Sequence, residues 1–350
     1  MPVAIPTKAE NARIAVQRSR WPWIKLLLLL VAVFVALLLY LRVGATSMSF
    51  TEVMKALFNR ADNPGDTDAI WVIRMPRALG CLVVGGLLGM VGSAFQALFR
   101  NPLAEPYVVG VSSGAAVGGA LALVTGFGTA WEGFASGLGP RLAAFPCGLI
   151  SLLLVFVISR RRGIIEAQTL LLAGVVTSAM LSAVLSLVLL AGGQDTNKVL
   201  RWLLGSMSPM YMNRVAIMAI VMVVGGLILI GQSRSLNVFA LGEDTAERLG
   251  VNTQRLKPLV LITGTAMVAV TVGAVGIIGF LGLVAPHIAR RLLGVDWRWS
   301  LIGSCILGSA LLLVADLLAQ RVVPDAEIPV GIVTALIGAP FLLVILKRSG

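Results

Sequence analysis

Charge is scarce in this chain, histidine nearly absent and cysteine too sparse to staple a fold. Only 13% of the 350 residues are Asp, Glu, Lys or Arg, against about 25% in soluble domains. That deficit excludes an ordinary solvated surface. The single histidine, His287, cannot build a zinc centre, which takes several N or S ligands, nor a His-Glu-x-x-His helix. It reads as structural. Cys81, Cys147 and Cys305 lie in separate apolar stretches and read as buried thiols. No Gly-x-x-x-x-Gly-Lys-[Ser/Thr] loop occurs, so nucleotide binding in that mode is excluded. Acids deep within apolar runs are missing too. Glu105, Glu166, Asp195 and Asp296 fall at or beyond run ends. For Asp316, about a turn inside one run and close to Arg321, a local pairing, a cap-like contact and a transport role all fit. Ion-coupled carriers keep ionisable groups deep in the membrane, so that class loses its main support.

What fills the chain is apolar: 58% of residues, with a mean hydropathy of +0.94. Leu26–Leu41 carries no charge over 16 residues. Extended by Ile24 and a snorkelling Lys25, it approaches the ~30 Å of a bilayer core. It is too long for a secretory signal, and Leu39-Tyr40-Leu41-Arg42 is no small-residue cleavage site. We read it as a retained span. About ten runs follow one another: 24–41, 72–98, 107–125, 141–159, 168–190, 211–230, 258–275, 280–292, 300–319 and 329–346. The eighth is too short to cross alone. The prediction is an all-α polytopic membrane protein with one membrane domain, 24–346, between tails 1–23 and 347–350.

The net charge of +12 is dispersed in short clusters such as Arg160-Arg161-Arg162 and Arg290-Arg291. That is a topology signal rather than a phosphate-binding face, and it predicts no nucleic-acid partner. With both termini in the cytoplasm, 18 of the 28 Lys and Arg fall inside, as the positive-inside rule requires. This orientation makes 235–257 cytoplasmic and leaves 43–71 and 191–210 outside.

Glycine is plentiful, at 38 residues. Gly85-Gly86-Leu-Leu-Gly89 and Gly114-Ala-Ala-Val-Gly118 are small-xxx-small patterns that suit close helix packing, with a glycine-lined conduit as the other reading. Gly273, Gly276, Gly279 and Gly282 suit either a bend or a closely packed, mobile helix.

A polar island, 235–250, interrupts the runs. Leu236, Phe239 and Leu241 give it an apolar edge, and Gly242 breaks the first half. Glu243 and Asp244 open a second short helix where negative charge is favoured, Arg248 sits near its end, and Leu249-Gly250 supplies a stop. Two helices of about two turns are marginal in water, so a partner surface is expected. An interfacial connector resting on headgroups is the alternative. Glu243, Asp244 and Glu247 against Arg248 favour a protein groove over anionic lipid.

Several strings, in order, carry a resemblance. They are Arg74-Met-Pro-Arg77, then Gly92-Ser-Ala-Phe-Gln-Ala-Leu-Phe-Arg-Asn-Pro-Leu-Ala-Glu-Pro106 with Gly110-Val-Ser-Ser-Gly114, and Trp202-Leu-Leu-Gly-Ser206. Leu241-Gly-Glu243 with Leu249-Gly-Val251, Gly276-Ile-Ile-Gly-Phe-Leu-Gly-Leu-Val-Ala-Pro-His287 and Ile328-Pro-Val-Gly-Ile-Val-Thr-Ala-Leu-Ile-Gly-Ala-Pro340 complete the set. The chain resembles FecCD-type permease subunits of type II ABC importers for iron–siderophore, haem and cobalamin, over nearly all its length after residue 20.

The resemblance implies that importer fold in a bacterial cytoplasmic membrane. It implies a homodimer with the path at its interface, two ATPase subunits that bind ATP and Mg, and a periplasmic or lipoprotein substrate-binding protein. This chain itself then needs no cofactor and is no enzyme. By resemblance the island couples to the ATPase, and Arg74, Arg77 and Arg321 receive acids of the binding protein. Path liners are expected on the fifth and tenth spans, at Gly174, Ser178, Ser182, Gly331, Thr334 and Gly338. A ferric siderophore is the expected cargo, with haem or cobalamin as alternatives. A passive channel would show the same hydropathy.

Overall fold

The computed structural model describes residues 21–43, 48–127, 143–161, 164–165, 167–323 and 327–349. The tail to residue 20, Arg141, Arg162 and Glu166 lie outside them. Each of the ten predicted runs carries a helix. Two-residue strands at Arg160–Arg161 and Ile164–Ile165 pair antiparallel in the connection after the fourth run. They are a small departure from an all-helical chain.

Helix α1 is Pro22–Arg42, followed by the short α2, Phe50–Leu57, and α3, Pro64–Asp68. A π-helical turn at Ala69–Arg74 joins α3 to α4, Met75–Phe99. The prediction of 72–98 missed this entry, and the continuous helical stretch is Pro64–Phe99. Among the described residues, six helices are long and apolar enough to cross a membrane: this stretch, α1, and four given below.

The third predicted run does not form one rod. Pro106–Val109 makes a 3-10 turn, and Gly110 takes a left-handed φ of +82°. Helix α5 therefore spans only Val111–Thr125. Then come α6, Ala144–Ser159, and α7, Ala167–Ala191, with a short amphipathic α8, Thr196–Leu203. Helix α9, Met212–Gly231, leads into α10, Ser233–Phe239, and α11, Glu243–Arg248. Last are α12, Thr253–Val275, α13, Leu281–Leu293, α14, Trp297–Ala319, and α15, Val330–Ser349. Of these, α7, α9, α12 and α14 are the remaining four of membrane-crossing length.

Helix α4 is the core of the molecule. It is apolar on all sides, as expected of a helix enclosed by others, and its window is 89% buried where that of α1 is 17% buried. Small residues allow this. A Cβ on Gly85 would land on the carbonyl of Gly308, and one on Gly89 on the carbonyl of Ser304, both in α14. Gly92 meets Gly282 of α13 in the same way, and the Ser93 and Ser300 hydroxyls lie 3.0 Å apart. Gly114 and Gly118 serve α5 alike, against Ser151 and Cys147 of α6. These glycines pack helices within the subunit, by the close backbone approach small residues permit in lipid.

The later glycine run resolves as a break. Gly276 ends α12 at φ +79°, and Phe280 adopts φ +68° just before α13. A Cβ on Gly276 would strike the Trp202 carbonyl. The loop after α4 fills the gap, with Phe280 N donating to Glu105 Oε1 at 2.7 Å and Tyr107 Oη donating to the Ile278 carbonyl at 2.9 Å.

Candidate functional site

Two polar regions stand at opposite ends of α4, whose 25 residues separate them by about 37 Å at ~1.5 Å per residue.

The first is the island. Gly242 sits at φ +120°, a conformation only glycine adopts freely, and it lets α11 turn away from α10. Leu236, Phe239 and Ala246 are fully buried, whereas Leu241 and Leu249 are 68% and 63% exposed. The apolar edge predicted for the first half is thus divided. Leu236 and Phe239 anchor the island to its own bundle, and only Leu241 of that edge projects from it.

Braces hold this arrangement. Asn237 Nδ2 donates to Asp296 Oδ1 at 2.9 Å, while Trp297 N donates to Asn237 Oδ1 at 3.0 Å. Lys257 of α12, its side chain buried, forms an ion pair with Glu243, and the Thr253 hydroxyl donates to Glu247. Two of the three predicted docking acids therefore bind back onto α12, although Glu247 stays exposed on α11 together with Asp244 and Arg248. Gly250, at φ +87°, provides the predicted stop.

The second region surrounds Arg77. Its Nε and Nη2 reach Asp316 Oδ2 and Oδ1 at 2.9 and 3.0 Å, and its Nη1 reaches Glu327 Oε1 at 2.8 Å. The Tyr40 hydroxyl also donates to Asp316, as does Gln320 Nε2 at 2.8 Å. Asp316 is fully buried, and its partner is Arg77 rather than the Arg321 nearer in sequence. Arg74 is buried as well and donates Nη1 to the Leu41 carbonyl at 2.8 Å. Of the three arginines assigned by resemblance to docking, Arg321 alone is exposed. Sequence reasoning missed Glu327 as a partner of Arg77 and Tyr40 and Gln320 as partners of Asp316, none of which anything local flags.

Beside Glu327 a cavity of about 670 Å³ opens, with Lys198, Arg201 and Trp202 of α8 on one wall and Ile328 and Pro329 on the other. The Asp195 carboxylate, hydrogen-bonded to Lys198, holds that ammonium above its usual range.

The six predicted path residues scatter. Gly174 and Ser178 of α7 lie against Gly110, Gly331 against the Leu204 carbonyl, and Gly338 against the Phe280 side chain. Thr334 donates to the Gly331 carbonyl within its own helix at 3.0 Å. Only Ser182 is exposed.

Among the described residues no cluster of His, Cys, Asp or Glu is arranged to hold a metal ion.

A family model described as the FecCD transport family matches residues 28–348. Over 278 residues the chain is 38% identical to the cobalamin import system permease protein BtuC of Halobacterium salinarum, covering 79% of this chain and 73% of that protein. It is 35% identical over 322 residues to the ferric enterobactin transport system permease protein FepD of Escherichia coli, covering 92% of this chain and 94% of that protein. A solved structure of a metal-chelate type ABC transporter in an inward-facing conformation matches with a TM-score of 0.81 at 31% identity, over 92% of this chain and 98% of that one.

Proposed function

The chain belongs to the FecCD transport family, and we propose that it carries a ferric siderophore inward as the membrane subunit of an ATP-driven importer. The observation that carries the energy-coupling part is the island: two exposed leucines on a braced helix-turn-helix, in a chain with no phosphate loop of its own. Exposed apolar side chains on a rigid mount are what a partner groove takes up. The partner is an ATPase subunit that binds ATP and Mg, two per importer.

Two copies of this chain enclose the path, in a bacterial cytoplasmic membrane with both termini inside. The bias of Lys and Arg supports that orientation. The broad apolar face of α7, with Leu172, Met180, Leu187 and Leu190 exposed, is available to a second copy. A loaded binding protein, periplasmic or lipoprotein, seats on the opposite end of α4 from the island. The cargo then enters between the copies, and movement of the islands under ATP turnover alternates access.

Of the three arginines assigned to docking, Arg321 is the exposed one, which supports giving it the leading part. Arg321→Glu is expected to weaken the purified binding protein's affinity about tenfold at low salt and much less at high salt, as a screened rim charge does. An unchanged affinity at low salt would remove Arg321 from the docking surface.

Cobalamin is the second reading, favoured by the 38% identity to a cobalamin permease; haem belongs to the same importer class. The deciding experiment reconstitutes the complete complex and compares ferric siderophore, haem and cobalamin, each on its binding protein. The siderophore is expected to give the largest stimulation of ATP hydrolysis and the only accumulation in the vesicles. Greater stimulation by cobalamin or haem would overturn the cargo assignment while leaving the importer reading intact.

A further inference from the structure

Next to the island lies a cavity of about 610 Å³ whose wall is cationic. Arg100, just past α4, and Arg290 and Arg291, in the last turn of α13, line it together with Asn101, and no carboxylate does. None of the three guanidinium groups takes part in an ion pair among the described residues.

Aromatic rings position two of them instead. Arg100 lies 5.8 Å from the centroid of Phe239 and Arg290 lies 4.6 Å from that of Trp297. A ring face holds a cation without cancelling its charge. The contrast with Arg77 is instructive, because there the same protein neutralises an arginine with two carboxylates. The positive field in the cavity is left for something that arrives from outside.

The surroundings state what kind of ligand fits. The cavity sits where α4 and α13 end, at the level of the island. Trp297 in its wall is an interfacial residue type. Val295 also lines it, and Val295 and its neighbour Leu292 are 44% and 38% exposed. A cationic pocket bordered by exposed aliphatic side chains at a helix end suits a molecule with an anionic head and an apolar tail.

We propose that this cavity binds the phosphate headgroup of an anionic phospholipid, with an acyl chain along Leu292 and Val295. The inference rests on the membrane placement of the helices and is independent of the cargo. A lipid held here would touch both Arg100 and Ala240, the residue that closes α10 and lines the cavity. It would therefore contact the island directly.

The test is native mass spectrometry of the full chain in detergent, titrated with phosphatidylglycerol, with phosphatidylcholine and with inorganic phosphate. Phosphatidylglycerol is expected to bind about tenfold more tightly than phosphatidylcholine, and Arg100→Gln/Arg291→Gln to lose about that factor. This variant keeps Arg290 on Trp297, and its melting curve serves as the folding control. If it misfolds, Arg291→Gln alone, at an exposed position, is expected to lose severalfold. Equal binding of the two lipids, or unchanged phosphatidylglycerol affinity in a folded variant, overturns the proposal. Displacement by equimolar inorganic phosphate would assign the site to the free anion and overturn it too. Expulsion of the lipid when ATPase subunits are added would make an acidic protein segment the occupant, and the lipid assignment would fall.

Discussion

Asp316→Ala is expected to destabilise the folded chain by about 3–5 kcal/mol, the usual cost of stranding a buried charge by removing its partner. Arg77 would keep only Glu327, whose side chain is half exposed, and the Tyr40 hydroxyl and Gln320 amide would lose a shared acceptor. Denaturation in mixed detergent measures this directly. Replacing both charges, as in Arg77→Met/Asp316→Leu, is expected to recover most of the loss, because the pair's desolvation cost disappears with it. A wild-type midpoint for Asp316→Ala would show that the network adds little. The same reasoning disqualifies Arg77→Glu as a probe of docking. It would place a third carboxylate beside Asp316 and Glu327, and any lost transport would report a damaged fold.

The second large effect lies at the other end of α4. Leu241→Asp/Leu249→Asp is expected to weaken assembly with the ATPase by about a hundredfold or more, on the scale of losing two interface anchors, and to bring ATP-driven uptake to background. Both side chains are mostly exposed, so abundance in the membrane and thermal stability should hold. Assembly is measured by co-purification and uptake in vesicles. Normal coupled uptake in this variant would refute the docking role of the island. Deleting Glu243–Leu249 is a harsher version, since it also removes the Lys257–Glu243 ion pair.

Much of the architecture was legible because hydropathy in a bilayer is a one-dimensional signal. Every apolar run became a helix, and the small-residue patterns at Gly85 and Gly114 marked real helix contacts. Errors came where backbone conformation interrupts a run without changing its hydropathy. Gly110 divides the third run this way, and the π-helical turn at Ala69–Arg74 extends the second.

Site residues were harder to place. Arg77 and Asp316 are 239 positions apart, so no spacing rule pairs them, and the sequence left Asp316 open between a local pairing, a cap-like contact and a transport role. Leu236, Phe239 and Leu241 form one stripe in sequence, yet burial divides them between anchor and exposed tip. The cationic cavity was invisible for the same reason: the lone Arg100 and the Arg290-Arg291 pair look like ordinary topology signals until two helix ends meet.

The braces on the island have a mechanical consequence. Asn237 fastens α10 to the start of α14, and the Lys257–Glu243 pair fastens α11 to α12. A force applied at Leu241 is therefore not absorbed by a slack linker. It divides between two long helices, one of which, α14, is locked against α4 through glycine contacts that leave no room to slide. The island and α14 thus form a stiff lever, while the other arm, α12, runs from the Lys257–Glu243 pair to the glycine break at Gly276–Phe280, where the chain changes direction.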